Sequence, residues 1–134
     1  MTAQFSQCCY VIAVHDVAAT QAYFIDKLAF EPLEIDAPGW RFVQRGTARF
    51  DMGECVGIPE AKVIGDHSWI ARIFVDGLDN YYGEIAGREA VIPAPPSTKP
   101  WGLREMLVVT PDGHRIMFCE VVASHPAIDS ISHS

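Results

Sequence analysis

Two rhythms of apolar residues run along the chain, and they recur in the same order twice. The run Cys8-Cys-Tyr-Val-Ile-Ala-Val14 is continuously apolar and rich in β-branched residues, the pattern of a strand buried on both faces. Asp16 then occupies an N-cap position. Val17, Thr20, Phe24 and Leu28 follow at spacings of three and four, with Tyr23 widening the stripe, so a helix packs its core face here and Pro32 stops it. Short strands are predicted at 33–36, 40–44 and 48–52, separated by the turn residues Pro38-Gly39 and Arg45-Gly46. Residues 57–66 read as a connector.

The order then restarts. Residues 69–75 form a strand pattern, and Leu78, Tyr81, Tyr82 and Ile85 line one face of a helix that Gly87 ends. A short strand is predicted at 90–92. The proline-rich run 92–100 reads as a loop that cannot pair at a sheet centre. Strands at 104–110 and 114–121 flank the turn Pro111-Asp112-Gly113. Val14-His-Asp-Val17 echoes Val75-Asp-Gly-Leu78, and Arg45-Gly46 echoes Asp112-Gly113. A repeat of about 60 residues predicts an α+β fold of two tandem βαβββ modules, 7–56 and 67–122, in one domain spanning 7–122, with a polar tail at 123–134. One face of each sheet packs under its helix, and the other faces curl as a mixed sheet around a concave cup.

Composition narrows the chemistry. Ten Lys and Arg against seventeen Asp and Glu give a net charge of −7, which argues against nucleic acid as a partner. No apolar run approaches the ~20 residues of a membrane helix, and 1–7 carry no basic residue of a secretory signal, so the expectation is a cytoplasmic protein with no membrane partner. The four cysteines show no C-x-x-C and read as reduced thiols, with Cys9 or Cys119 the alternatives for a ligand or nucleophile. The five histidines show no metal-binding spacing.

Two stretches, Pro100-Trp-Gly-Leu-Arg-Glu105 and Thr110-Pro-Asp-Gly-His-Arg-Ile-Met-Phe118, together with the doubled module, carry a family resemblance. The chain resembles the vicinal oxygen chelate superfamily of glyoxalases, bleomycin-resistance proteins and dioxygenases, and is most similar to the bleomycin-resistance branch. In metal-dependent members the resemblance implies four ligands on the cup face. Here those positions fall on Cys9, Asp51, Ile70 and Met117, of which Ile70 and Met117 cannot hold a hard or borderline cation. Only Cys9 and Asp51 are metal candidates, and no cofactor is expected.

Strand alternation lists the cup lining: Cys9, Val11 and Ala13; Arg49 and Asp51; Ile70, Arg72 and Phe74; Met117 and Cys119. Trp40, Phe42 and Trp101 are placed at the mouth, where aromatic rings stack on planar ligands. Arg49, Asp51 and Arg72 read either as ligand contacts or as an internal ion pair, Trp101 either as a ligand contact or as an interface plug, and Arg104-Glu105 as a structural pair or a dimer contact. His114 is expected to be solvated. The predicted ligand-binding set is thus Trp40, Phe42, Arg49, Asp51, Arg72, Phe74, Trp101 and Met117, with no catalytic residue. The resemblance implies a metal-free binding protein that sequesters an aromatic or amphipathic small molecule, as an antibiotic-resistance protein does, and works as a homodimer. The alternative is a lyase, isomerase or dioxygenase of the same superfamily using non-standard metal ligands.

Overall fold

The structure is a computed structural model that describes residues 2–123, so the predicted tail falls outside it from residue 124 onward. The first half contains β1 (Tyr10–Val14), α1 (Val17–Asp26), β2 (Glu31–Leu33), β3 (Trp40–Arg45) and β4 (Ala48–Glu54). The second contains β5 (Trp69–Phe74), α2 (Leu78–Ala86), β6 (Ala94–Thr98), β7 (Leu103–Val109) and β8 (Arg115–Val121). Each half builds a four-stranded mixed sheet of the same topology, β1-β4-β3-β2 and β5-β8-β7-β6, in which the first and last strands pair in parallel. The sheets do not close on each other.

Both helices cover the same side. Phe24 and Leu28 of the first half and Leu78, Tyr81 and Ile85 of the second join Ile12, Val14, Phe50, Met106, Ile116 and Phe118 in one continuous core. Each such side chain contributes ~1.5–3 kcal/mol by leaving water. Asp16 caps α1 by accepting the Ala19 N–H at 2.9 Å. At the equivalent position α2 has Gly77, which has no capping side chain; Glu120 of β8 substitutes, accepting the Gly77 and Leu78 N–H groups at 2.9 and 3.1 Å.

Several expectations change. The first strand is buried on one face only, with Val11 65% exposed while Ile12 and Val14 are buried, because no second layer covers its other side. The strand predicted at 33–36 is Glu31–Leu33, so Pro32 lies inside a short strand and the helix ends before it at Asp26. The sixth strand is the proline-rich run itself, Ala94–Thr98, rather than 90–92. Proline is tolerated there because β6 is an edge that pairs only with β7. His114 is buried rather than solvated, hydrogen-bonded to Thr110, and burial holds its imidazole below the ordinary histidine pKa.

The connector is a clamp rather than a loose link. Its 3-10 segment, Ala61–His67, lies across the β7–β8 turn, where the Lys62 N–H donates to the Asp112 carbonyl at 2.9 Å. A Cβ on Gly113 would stand 2.7 Å from the Lys62 backbone, and its φ of 95° also requires glycine. The buried Asp112 carboxylate accepts the His15 N–H of the first half at 2.8 Å. Asp112→Ala is therefore expected to cost about 1–3 kcal/mol in urea unfolding by leaving that N–H unpaired; an unchanged midpoint would show that the clamp is peripheral.

Candidate functional site

With one side of each sheet committed to the core, the candidate site lies on the other. On the first sheet, cross-strand register places Trp40 opposite Gly53, Phe42 opposite Asp51 and Gln44 opposite Arg49, all on the helix-free face. The Trp40 indole lies flat on Gly53, where a Cβ would sit 3.0 Å from the ring, so the glycine is what lets the ring lie down. Phe42 follows it in a nearly parallel stack, 6.4 Å between centroids at 16°. The Arg49 guanidinium carbon is 5.5 Å from the Phe42 centroid. Arg49 Nε donates to Asp51 Oδ1 at 2.7 Å, and the Cys9 thiol points at Oδ2 from 3.8 Å. The bond to Asp51 holds the guanidinium pKa above its ordinary value.

On the second sheet, Arg72, Met117 and Leu107 form one row of the free face, and Phe74, Cys119 and Glu105 the next. Glu105 is only 6% exposed. Its Oε2 accepts both the Trp101 indole N–H at 2.9 Å and an Arg72 N–H at 3.4 Å. Among the described residues, Oε1 receives no protein donor. Among the described residues no buried side-chain nitrogen or oxygen lacks a partner, so Oε1 is not enclosed by them. Beneath lies a small second core of Leu103 and Cys119, with Met117 and Val121 against it. Burial, opposed by the Arg72 guanidinium and reinforced by Glu105, pushes the Cys119 thiol up to about 11.

The eight predicted residues are thus gathered into two clusters rather than one. Trp40, Phe42, Arg49 and Asp51 form the first; Arg72, Trp101 and Met117 join Glu105 in the second, beside Phe74. Arg72 and Phe74 also line a cavity of about 710 Å³ with Cys8, Tyr10 and Ala48, which the other six do not border. Ile70, expected in the cup, packs against the main core because the register shifts between Trp69 and Ala71. Arg104 and Glu105 are not a pair: they point to opposite faces, and Arg104 grips Asp79 at 3.0 Å. Sequence reasoning missed Glu105 as a site residue, although alternation from Leu103 through Leu107 carries the signal.

The donor set does not fit a metal centre of the kind the resemblance implies. Asp51 is already engaged by Arg49, Ile70 faces the core, Met117 offers only a thioether, and among the described residues no three His, Cys, Asp or Glu side chains converge. None of the described helices is long and apolar enough to cross a membrane.

No family model and no curated protein matches the chain. Solved structures do share its fold. The chain is similar to TioX from Micromonospora sp. ML1, at 20% identity and a TM-score of 0.69 over 88% of this chain and 100% of that one. It is also similar to a bleomycin-binding protein from Streptomyces verticillus complexed with copper(II)-bleomycin, at 22% identity and a TM-score of 0.67 over 92% of this chain and 100% of that one. A third likeness is to a glyoxalase/bleomycin resistance protein/dioxygenase from Nocardioides, at 15% identity and a TM-score of 0.67 over 94% and 90% of the two chains. Many structures with this fold are of the glyoxalase/bleomycin resistance/dioxygenase family. At these identities the likeness establishes the fold.

The thiols differ enough to be told apart chemically. Cys8, Cys9 and Cys55 are exposed and Cys119 is buried. Iodoacetamide at mildly alkaline pH is expected to alkylate Cys119 at least about tenfold more slowly than the other three, read by peptide mass spectrometry. Equal rates would mean that the second core opens readily.

Proposed function

We propose that this chain, built on the fold of the glyoxalase/bleomycin resistance structures, is a small-molecule-binding protein that needs no metal and captures an aromatic or amphipathic ligand on its helix-free faces. The observation that carries this reading is the exposed Trp40 indole on the helix-free face, backed by buried Phe42 in a near-parallel stack and by the partly covered Arg49 guanidinium. An indole laid on a glycine, 38% exposed, presents a planar surface to solvent at no cost to the core. Stacking rings on such a surface is a favourable use of aromatic area.

The second cluster supplies orientation. Arg72 is held by one long hydrogen bond and its side chain is 49% exposed, so it remains available to a carboxylate or phosphate on a ligand. Glu105 Oε1 offers a complementary acceptor. That a bleomycin-binding protein of this fold is complexed with copper(II)-bleomycin supports a small-molecule ligand here. A homodimer completes the proposal. Exposed Val11, Trp40, Phe74 and Trp101 leave apolar area on the free faces that a second copy would cover.

Thermal shift against a panel of planar aromatic antibiotics, bleomycin among them, tests the reading. A ligand present at 100 times its dissociation constant adds ~2.7 kcal/mol of stability. Trp40→Ala and Trp101→Ala are each expected to weaken such a ligand by about tenfold, equivalent to ~1.4 kcal/mol, with the fold retained. Arg72→Ala weakens ligands that carry an anionic group and leaves neutral ones unchanged. Unchanged affinity in both tryptophan variants overturns the proposal, as does stoichiometric transition metal in protein purified without chelator. Loss of a dimer on Trp101→Ala, with ligand affinity intact, reassigns that residue to the interface.

A further inference from the structure

The seam between the two halves is not sealed. β1 and β5 run side by side but belong to separate sheets. They are tied by the Tyr10 hydroxyl, which donates to the Arg72 carbonyl at 3.3 Å. Beyond that tie, a cavity of about 440 Å³ opens toward the helices. It shares Gly46, Thr47, Ala48, Ile73 and Phe74 with the cavity on the opposite side of the seam, so both cavities flank one slot formed by the β3–β4 turn and the end of β5. Arg72 borders its free-face end and Phe74 both ends, whereas Trp40, Phe42, Arg49, Asp51, Trp101 and Glu105 line neither.

The helix-side end of this slot has the build of a ligand pocket. Phe30, Tyr81 and Phe118 are 4%, 5% and 2% exposed and form an aromatic floor, with Ile73 and Phe74 as a wall. The volume lies within the range of small-molecule sites, and a few polar groups meet at the rim. Those groups decide the sign of the ligand. The N–H groups at the start of α2, which an anion would use, are already taken by Glu120. The Arg45 guanidinium is also occupied, bidentate on Glu84 at 2.9 and 3.0 Å and 4.9 Å over the Tyr81 ring. Asp76 remains. It lines the cavity, is exposed, and among the described residues has no cationic partner.

We propose that the helix-side cavity of this slot is a second ligand site, sharing only Phe74 with the predicted free-face residues, which takes a small amphipathic amine with its apolar body on Phe30, Ile73 and Phe118 and its ammonium against Asp76. A cation gains an unpaired carboxylate there, whereas an anion meets a rim whose charges, Asp76 and Glu84 against Arg45, leave it net negative. Occupancy would bridge the halves, since Phe30 and Ala48 come from one and Ile73, Asp76 and Phe118 from the other.

Matched probes of opposite charge test the site: 2-phenylethylammonium and 3-phenylpropionate, titrated into the isotopically labelled full chain and followed by amide chemical shifts. The ammonium is expected to move the amides of 46–48 and 73–84 and to bind about fivefold or more tighter than the carboxylate. Asp76→Asn weakens the ammonium by about threefold and, by removing the rim's net negative charge, binds the carboxylate no more weakly than the parent does. Thr47→Trp, placed on an exposed turn, fills the slot and removes binding of both without lowering the melting temperature. Trp101→Ala leaves the ammonium affinity as it was, which separates this site from the free-face reading. Equal affinity for the two probes overturns the proposal. So does an unchanged ammonium affinity in Asp76→Asn, shifts confined to 40–51 and 101–105, or no saturation up to about 10 mM.

Discussion

Everything distinctive about this molecule follows from a shortage of cover: each four-stranded sheet has two faces and a single helix. The helices sit on one common side and pull Phe24, Phe50, Leu78 and Phe118 into a shared core, leaving the opposite faces bare. A bare sheet face must satisfy water without inviting aggregation. Here it does so with charge and flat aromatics: Arg49 with Asp51, Arg72 with Glu105, and the Trp40–Phe42 stack. Partly exposed ion pairs of this kind add little to stability. Their larger effect is to fix where positive and negative potential stand on the open surface, and that is the property a ligand meets.

The halves are held together by a few directed contacts rather than by a continuous sheet. Tyr23 on α1 reaches across to donate to the Val109 carbonyl at 2.9 Å and accepts the Val91 N–H at 2.9 Å. Tyr81 on α2 makes the reciprocal reach, donating to the Leu28 carbonyl at 2.8 Å. Burial raises the pKa of both phenols, so they remain protonated donors through the ordinary pH range. With Asp112 receiving the His15 N–H, the ties lie on the helix side and at one end. No comparable row of bonds joins β1 to β5, and that is why a slot persists along the seam.

The element order, the two helices and the hairpin turns were legible in the residues because they rest on local rules. Three- and four-residue spacing, the Asp16 cap and a turn glycine each act within a few positions. What failed depended on tertiary context. A continuous apolar run such as 8–14 signals burial on two faces only if two layers exist to bury it, and Val11 shows that one is missing. The proline-rich 94–98 became a strand because an edge position demands fewer N–H donors than a central one. Glu105 was hidden by its neighbour: an Arg-Glu dipeptide suggests a pair, yet successive strand residues point to opposite faces, so Arg104 and Glu105 cannot share a partner surface. Ile70 was misplaced by a register shift that no periodicity announces.

The two halves share a topology but not a division of labour. The free face of the first sheet presents one open ring, Trp40, backed by buried Phe42 and the Arg49 guanidinium, with Asp51 occupied by Arg49. The free face of the second has begun to bury itself: Leu103 and Cys119 form a small core, and the acidic group above them keeps one oxygen for Trp101 and Arg72 and leaves the other, among the described residues, without a protein donor. A stacking platform without a buried acceptor would hold any flat molecule, and a buried acceptor without a platform would hold only what chance delivers. Two halves of one topology thus present two different surfaces in a single short chain. At α2, where Gly77 offers no capping side chain, Glu120 reaches from the helix side of β8 to the helix N-terminus, and Asp76, among the described residues, has no cationic partner.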